Sequence, residues 1–149
     1  MWLTLPPDTL ARVSPSREEV IDGLRGVTHL LHHLAPIFLL CDVRDLGSWL
    51  GDTTPAEAGK TVATRESARR RLLDAETFNP TIYLYDSHAG GIGLAERLFE
   101  VLPDLVRHAR ETLRACPCAW GCPSCVGPVN EVGRRAKATA AAILALLAS

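Results

Sequence analysis

Surplus charge of one sign, aromatic residues and long apolar runs are all scarce in this sequence. Its 149 residues carry 16 basic and 17 acidic side chains, a formal net charge of −1. Bulk charge therefore does not draw the chain to a polyanion, and any contact with nucleic acid has to come from a local patch. No uninterrupted apolar stretch reaches the length that crosses a bilayer. The start, Met1-Trp2-Leu3-Thr4-Leu5-Pro6-Pro7, lacks the basic segment and apolar core of a secretory signal. Together these absences point to the cytoplasm and to no membrane partner. There is no internal repeat and no low-complexity linker. Gly59-Lys60-Thr61 has the look of a phosphate-binding loop, but Thr54 stands where the first glycine is needed and no strand precedes it, so we read it as coincidence.

Cysteine is rare except in one place. Four of the five cysteines fall within Cys116-Pro117-Cys118-Ala119-Trp120-Gly121-Cys122-Pro123-Ser124-Cys125, at spacing C-x-C-x₃-C-x₂-C. Four thiolates aimed at one point are what a tetrahedral metal needs, and Cys₄ is a common structural zinc set. Proline and glycine between them favour the tight turns that direct successive sulfurs inward. Even parity would also allow two disulfides, but bridges within so short a loop would staple little, and a reducing compartment favours metal. Iron–sulfur clusters use Cys₄ as well, so zinc and iron both remain open on spacing alone.

With 47% apolar residues the chain is expected to fold as one domain around its own core. Trp2 to Leu5 alternates like a short strand, ended by Pro6 and Pro7. Ser16 and Glu19 have capping-box spacing, and a helix is expected from there to about Leu34, burying Val20, Leu24, Val27, Leu30, Leu31 and Leu34. Gly23 and Gly26 weaken its middle. His29, His32 and His33 near its end suit the negative helix terminus or core and rim positions; zinc ligation is the alternative. Ile37-Phe38-Leu39-Leu40-Cys41 reads as a strand buried on both faces, with Cys41 a small buried hydrophobe. Asp42 and Asp45 follow, either in an Asx-rich turn with an Asp–Arg pair or in a site at a strand's end. Gly51 to Thr64 is polar and loop-like. Residues 64–77 look helical, and Arg65, Arg69, Arg70 and Arg71 form either a solvated face or a phosphate-contacting patch.

Thr81-Ile82-Tyr83-Leu84-Tyr85 is a second strong strand. It leads into Asp86-Ser87-His88-Ala89-Gly90-Gly91-Ile92-Gly93 and then a long amphipathic helix through Leu94, Leu98, Leu105, Ala109 and Leu113, which Pro103 is expected to kink or split. Strand, glycine-rich turn and helix can hold a phosphate on free amides, so Ser87, His88, Gly90 and Gly91 are candidate contacts. Alternatively the glycines serve the turn while Asp86 or Ser87 caps the helix. Arg107, Arg110 and Arg114 lie in that helix's last turns, suiting its dipole or flanking a binding surface. An Ala/Leu-rich helix from about Glu131 to Leu147 closes the chain.

Two stretches together, Tyr85-Asp86-Ser87-His88-Ala89-Gly90-Gly91-Ile92-Gly93-Leu94-Ala95-Glu96 and the four-cysteine loop, resemble the C-terminal zinc-binding domain of MrfA-type (mitomycin repair factor) bacterial helicases, superfamily 2 DEAD/DEAH-box enzymes. Trp2 to Pro6 and Cys41 to Gly47 look like its earlier blocks; the likeness is weakest over residues 52–79. Ser48 departs from the glycine expected after Gly47. The resemblance implies a module that follows two RecA-like motor domains in an ATP-dependent 3′ to 5′ DNA helicase of DNA repair. It implies Cys116, Cys118, Cys122 and Cys125 as structural zinc ligands, and not Cys41. No Walker A loop or DEAH-type box is present, so ATP belongs to motor domains outside this chain. The expectation is thus an α/β domain over residues 1–149, with a small sheet of two or three strands flanked by helices and a Cys₄ knuckle near its C-terminus. It would be excised from a larger helicase, with Met1 supplied at the cut, or else be a short stand-alone product. Its partners would be the motor domains and DNA. The rival readings are an accessory subunit of an antiphage defence complex and a metal-dependent hydrolase or nuclease built on Asp42, Asp45, Asp86 and His88.

Overall fold

Three strands, β1 (Trp2–Thr4), β2 (Leu46–Gly51) and β3 (Thr81–Asp86), make one sheet in the order β1-β3-β2, both pairings antiparallel. The structure is a computed structural model that describes residues 1–52 and 64–148. The sheet is flanked by α1 (Pro7–Val13), α2 (Arg17–Leu39), α3 (Arg65–Asp74), α4 (Leu94–Ala115), α5 (Val129–Val132) and α6 (Ala136–Leu147), with a 3-10 turn at Val43–Asp45. The α/β class and the small flanked sheet agree with the expectation from sequence.

Helix α2 is the hub. Ser16 caps it, its Oγ accepting from the Glu19 amide at 3.3 Å, while Ser14 Oγ donates to the Glu19 carboxylate. Val20, Leu24, Val27, Leu30 and Leu31 recur at helical spacing and are buried against α6, α4 and β2. Leu34, also expected inside, is only half-buried. At the two mid-helix glycines neighbours pack against the backbone itself. A Cβ on Gly23 would stand 2.5 Å from Thr139 Cγ2 of α6, and one on Gly26 would stand 2.9 Å from Val126 Cβ beside the cysteine loop. Each glycine costs a helix about 1 kcal/mol, whereas each large apolar side chain fully buried returns about 1.5–3 kcal/mol, so the close packing outweighs the lost propensity.

The expected strand at Ile37–Cys41 is a helix. α2 runs on through Pro36 to Leu39 and ends at Leu40, which takes a left-handed conformation with φ 55°. Leu31, Ala35 and Leu39 are buried at i, i+4, i+8, while Ile37 and Leu40 are 67% and 90% exposed. An unbroken apolar run does not by itself distinguish a helix from a strand, and here the helical face decides. The second strand beside β3 is instead β2, in a stretch to which we assign no strand from the sequence. Glycine dilutes its strand signal for a packing reason: Gly47 lies opposite Tyr85, and a Cβ there would stand 2.3 Å from the ring's Cε2. Ser48 pairs with Leu84 and continues the strand without a local turn.

Pro103 does not split α4 into two elements; it sits exposed within one continuous helix. The closing helix is broken. Gly133, at φ 84°, separates α5 from α6, and a Cβ there would meet the Asp22 carboxylate at 2.6 Å. Gly59-Lys60-Thr61 lies outside the described residues.

Candidate metal centre

Helix α4 delivers the cysteine loop. Cys116 is its C-cap, with its amide donating to the Thr112 carbonyl at 3.1 Å. The chain then folds back on itself, and the Cys122 carbonyl accepts from the amides of both Cys125 and Gly127 at 3.0 Å. The turns bring all four sulfurs within 4.8 Å of one another. Cys116 Sγ lies 3.5 Å from Cys118 Sγ and from Cys122 Sγ, Cys118 to Cys125 is 3.5 Å, and Cys122 to Cys125 is 3.7 Å. Four sulfurs about 2.3 Å from a central tetrahedral ion would stand about 3.8 Å apart. The donor set and its spacing therefore fit a single zinc-sized ion with no place left for water. A multi-iron cluster would need a wider cradle.

Electrostatics point the same way. Burial pushes the Cys125 thiol up to about 12, so a thiolate there needs a cation beside it. Cys122 also donates its backbone amide toward Cys125 Sγ at 3.4 Å. From α6, Lys137 Nζ donates to the carbonyls of Cys116 and Cys118 and approaches Cys118 Sγ at 3.4 Å. From α2, His29 Nε2 donates to the Pro123 carbonyl at 2.8 Å. These two residues orient the loop from outside, as groups around a metal's own ligands commonly do. The sequence offered no periodic signal for either, because both reach the loop across the fold. One compositional signal existed for Lys137: besides Lys60 it is the chain's one lysine, amid fourteen arginines.

The other candidates separate. Cys41 is half-buried and stands apart from the cluster. His32 Nε2 donates to the Leu46 carbonyl and His33 Nδ1 to that of His29, so none of the three histidines joins the sulfurs. Asp42 and Asp45 form the capping box of the 3-10 turn, and Asp42 pairs with Arg44 at 3.1 Å, which holds its carboxyl down at about 2. Asp86 caps α4, its oxygens accepting from the amides of Ile92 and Leu94. His88 donates to Asp45 at 2.9 Å, and that bond lowers the Asp45 carboxyl's pKa. Among the described residues these acids and His88 bring no ligand set together as the cysteines do. Ser87, His88, Gly90 and Gly91 are exposed at the start of α4. Arg107, Arg110 and Arg114 are exposed toward its end, roughly 20 Å and more along the helix. The candidate contacts are thus two separate groups. Arg107 is bonded to Asp104 at 2.6 Å, while Arg110 and Arg114 flank a shallow cleft with Lys137. Of the arginine run at 65–71, Arg69 turns inward to Glu18 at 2.6 Å and Arg71 pairs with Asp52 at 3.3 Å.

Residues 27–126 match the model of the MrfA Zn-binding domain. The ATP-dependent helicase YprA of Bacillus subtilis is 35% identical over 114 residues, covering 76% of this chain and 12% of YprA. The protein MJ1572.1 of Methanocaldococcus jannaschii is 30% identical over 113 residues, 72% of this chain and 86% of that one. A crystal structure of the DUF1998 helicase MrfA bound to DNA superposes with a TM-score of 0.67 at 30% identity, covering 89% of this chain and 15% of that one. The chain therefore spans a small part of the helicases it matches and most of the archaeal protein. Among the described residues no helix is long and apolar enough to cross a membrane. With the matched segment running from the middle of α2 through the last cysteine, this chain belongs to the MrfA Zn-binding domain family.

Proposed function

We propose that the chain binds one structural zinc ion through Cys116, Cys118, Cys122 and Cys125 and serves as a non-catalytic scaffolding module of an ATP-dependent 3′ to 5′ DNA helicase acting in DNA repair in the cytoplasm. The observation that carries the metal is the convergence of four sulfurs with no open position. The helicase setting is supported by the relatives: YprA is named as a helicase, and MrfA was solved on DNA. In this reading the module packs against the motor domains, which supply ATP chemistry, and touches the DNA backbone through arginines. Zinc ties the end of α4 to the return into α6, so the surface those helices present is held rigid.

Elemental analysis of the purified chain tests the metal. One zinc per chain is expected; iron with visible absorption would replace it. Labelled single-stranded DNA at low salt tests the nucleic-acid contact, where phosphate interactions are strongest. No binding there would favour a protein-binding accessory role, for which the supporting observation is a relative of which the matched segment makes up 86%. DNA cleavage abolished by Asp86→Ala would favour the nuclease reading.

A further inference from the structure

Away from the knuckle, positive charge and imidazole gather in one place. A cleft of about 200 Å³ lies between α2, β2, α3 and α5, and Arg25, His29, His32, His33, Arg65 and Arg69 line it. The chain as a whole is slightly acidic, yet three of its five histidines meet three arginines here. One acid, Glu131, shares the lining. Arg69 is already held by Glu18. Neither Arg25 nor Arg65 forms an ion pair among the described residues.

We propose that this cleft is an anion site that takes a phosphate ester. The histidines only exclude a metal. The ring nitrogens facing the carbonyls of Pro123, Leu46 and His29 must carry protons, because a carbonyl only accepts. Their other nitrogens are bare when the rings are neutral and can only accept, so the neutral rings do not hold an anion themselves. Nor do they form a metal site: among the described residues the four cysteines are the one convergent ligand set. The donors argue next. Arg25 and Arg65 offer planar guanidinium forks, the geometry that suits phosphate oxygens. Trp49, which also lines the cleft, has an indole Nε1 shielded from water with no acceptor among the described residues. A Cβ at Gly51 would lie 2.6 Å from that nitrogen, so glycine there keeps its surroundings open. A buried N–H without an acceptor is unusual; because this one is closed to water, Trp49 serves as a reporter of the cleft it lines and not as a donor to the ligand. The volume is below the roughly 300–1,000 Å³ of pockets that enclose drug-sized ligands, so the cleft suits a phosphate group with the edge of its ester.

This inference deepens the DNA-contact part of the proposed function and rests on it for the source of the phosphate, not for the site. The test uses the zinc-loaded chain and two probes, inorganic phosphate and a twelve-residue oligothymidylate, each titrated while the indole N–H resonances are followed. Trp2 and Trp120, both exposed and outside the cleft lining, are internal references. The Trp49 resonance is expected to move with the oligonucleotide while the references stay. Arg25→Gln and Arg65→Gln should each weaken binding about 5-fold or more, and the salt dependence should become shallower by about 0.7 for each phosphate no longer held. Arg65 is exposed at the first position of α3, so its replacement leaves the fold intact even if Arg25→Gln does not. Movement of Trp49 with inorganic phosphate alone, abolished in the variants, upholds the anion site, assigns it a small phosphate compound, and counts against the DNA contact. Oligonucleotide binding that leaves Trp49 unmoved and is equal in both variants overturns the site while sparing the DNA contact. No response to either probe overturns both.

Discussion

Lys137 on α6 donates to the carbonyl of Cys118 and stands 3.4 Å from the same residue's sulfur. One ammonium thus offsets part of the negative charge of a Cys₄ set and ties the closing helix to the knuckle. Replacing it by methionine keeps the stem and removes the charge. We expect zinc affinity to fall about 10- to 100-fold, the usual effect of losing a group that supports metal ligands, measured by competition with a chromophoric chelator. Unchanged affinity in Lys137→Met would mean that the lysine serves packing only.

Metal removal should unfold at least the C-terminal quarter. Apparent binding energies for structural zinc are about 10–16 kcal/mol in small peptides, comparable to a whole domain's stability of about 5–15 kcal/mol. Chelation, or Cys122→Ser, is expected to lower the melting temperature and to expose amides after Cys116 to hydrogen exchange. A melting curve unaltered by complete metal removal would refute this.

Gly23 of α2 lies against Thr139 of α6, where a Cβ would stand 2.5 Å from the threonine methyl. Gly23→Ala should destabilise by about 1–3 kcal/mol, the range for overpacking, despite alanine's better helix propensity. Adding Thr139→Ser removes the methyl it strikes and should recover much of the loss. Additive effects in denaturant melts, with no coupling between the two sites, would show that the helices do not meet as described.

Lowering pH should loosen the contact between α2 and the knuckle. Burial lowers the His29 pKa below its ordinary 6.5, with the bond to the Pro123 carbonyl opposing. The folded state therefore favours the neutral ring. Between the folded and unfolded pKa values the unfolded chain binds more protons, so stability rises with pH. The contribution is present above about 6.5 and is lost as pH falls through the folded value. Comparing the chain with His29→Gln at pH 7.5 and 5.5 isolates this from protonation of the cysteines. The variant should show the shallower loss, and equal slopes would exclude His29.

Asp86→Ala should cost about 0.5–2 kcal/mol, the range for losing a helix cap, because two amides at the start of α4 lose their acceptor. Thermal denaturation checks it. A variant as stable as the parent would remove the structural account of Asp86.

The sequence already determined the metal set, since four cysteines within ten residues converge through local turns, and the capped start of α2, since Ser16 and Glu19 act within one turn. It also determined the strand at Thr81 and the long helix after it, because both periodicities are local. What it left undecided depends on partners distant in the chain. Ile37–Leu39 is helical because Leu31, Ala35 and Leu39 share a face that the rest of the core covers, and β2 is a strand because β3 pairs along its length, with glycine at 47 leaving room for Tyr85. The same holds at the knuckle: sequence spacing set which atoms meet the metal, while only tertiary packing brought His29 and Lys137 to hold it, since neither is near the cysteines until α2 and α6 close around them.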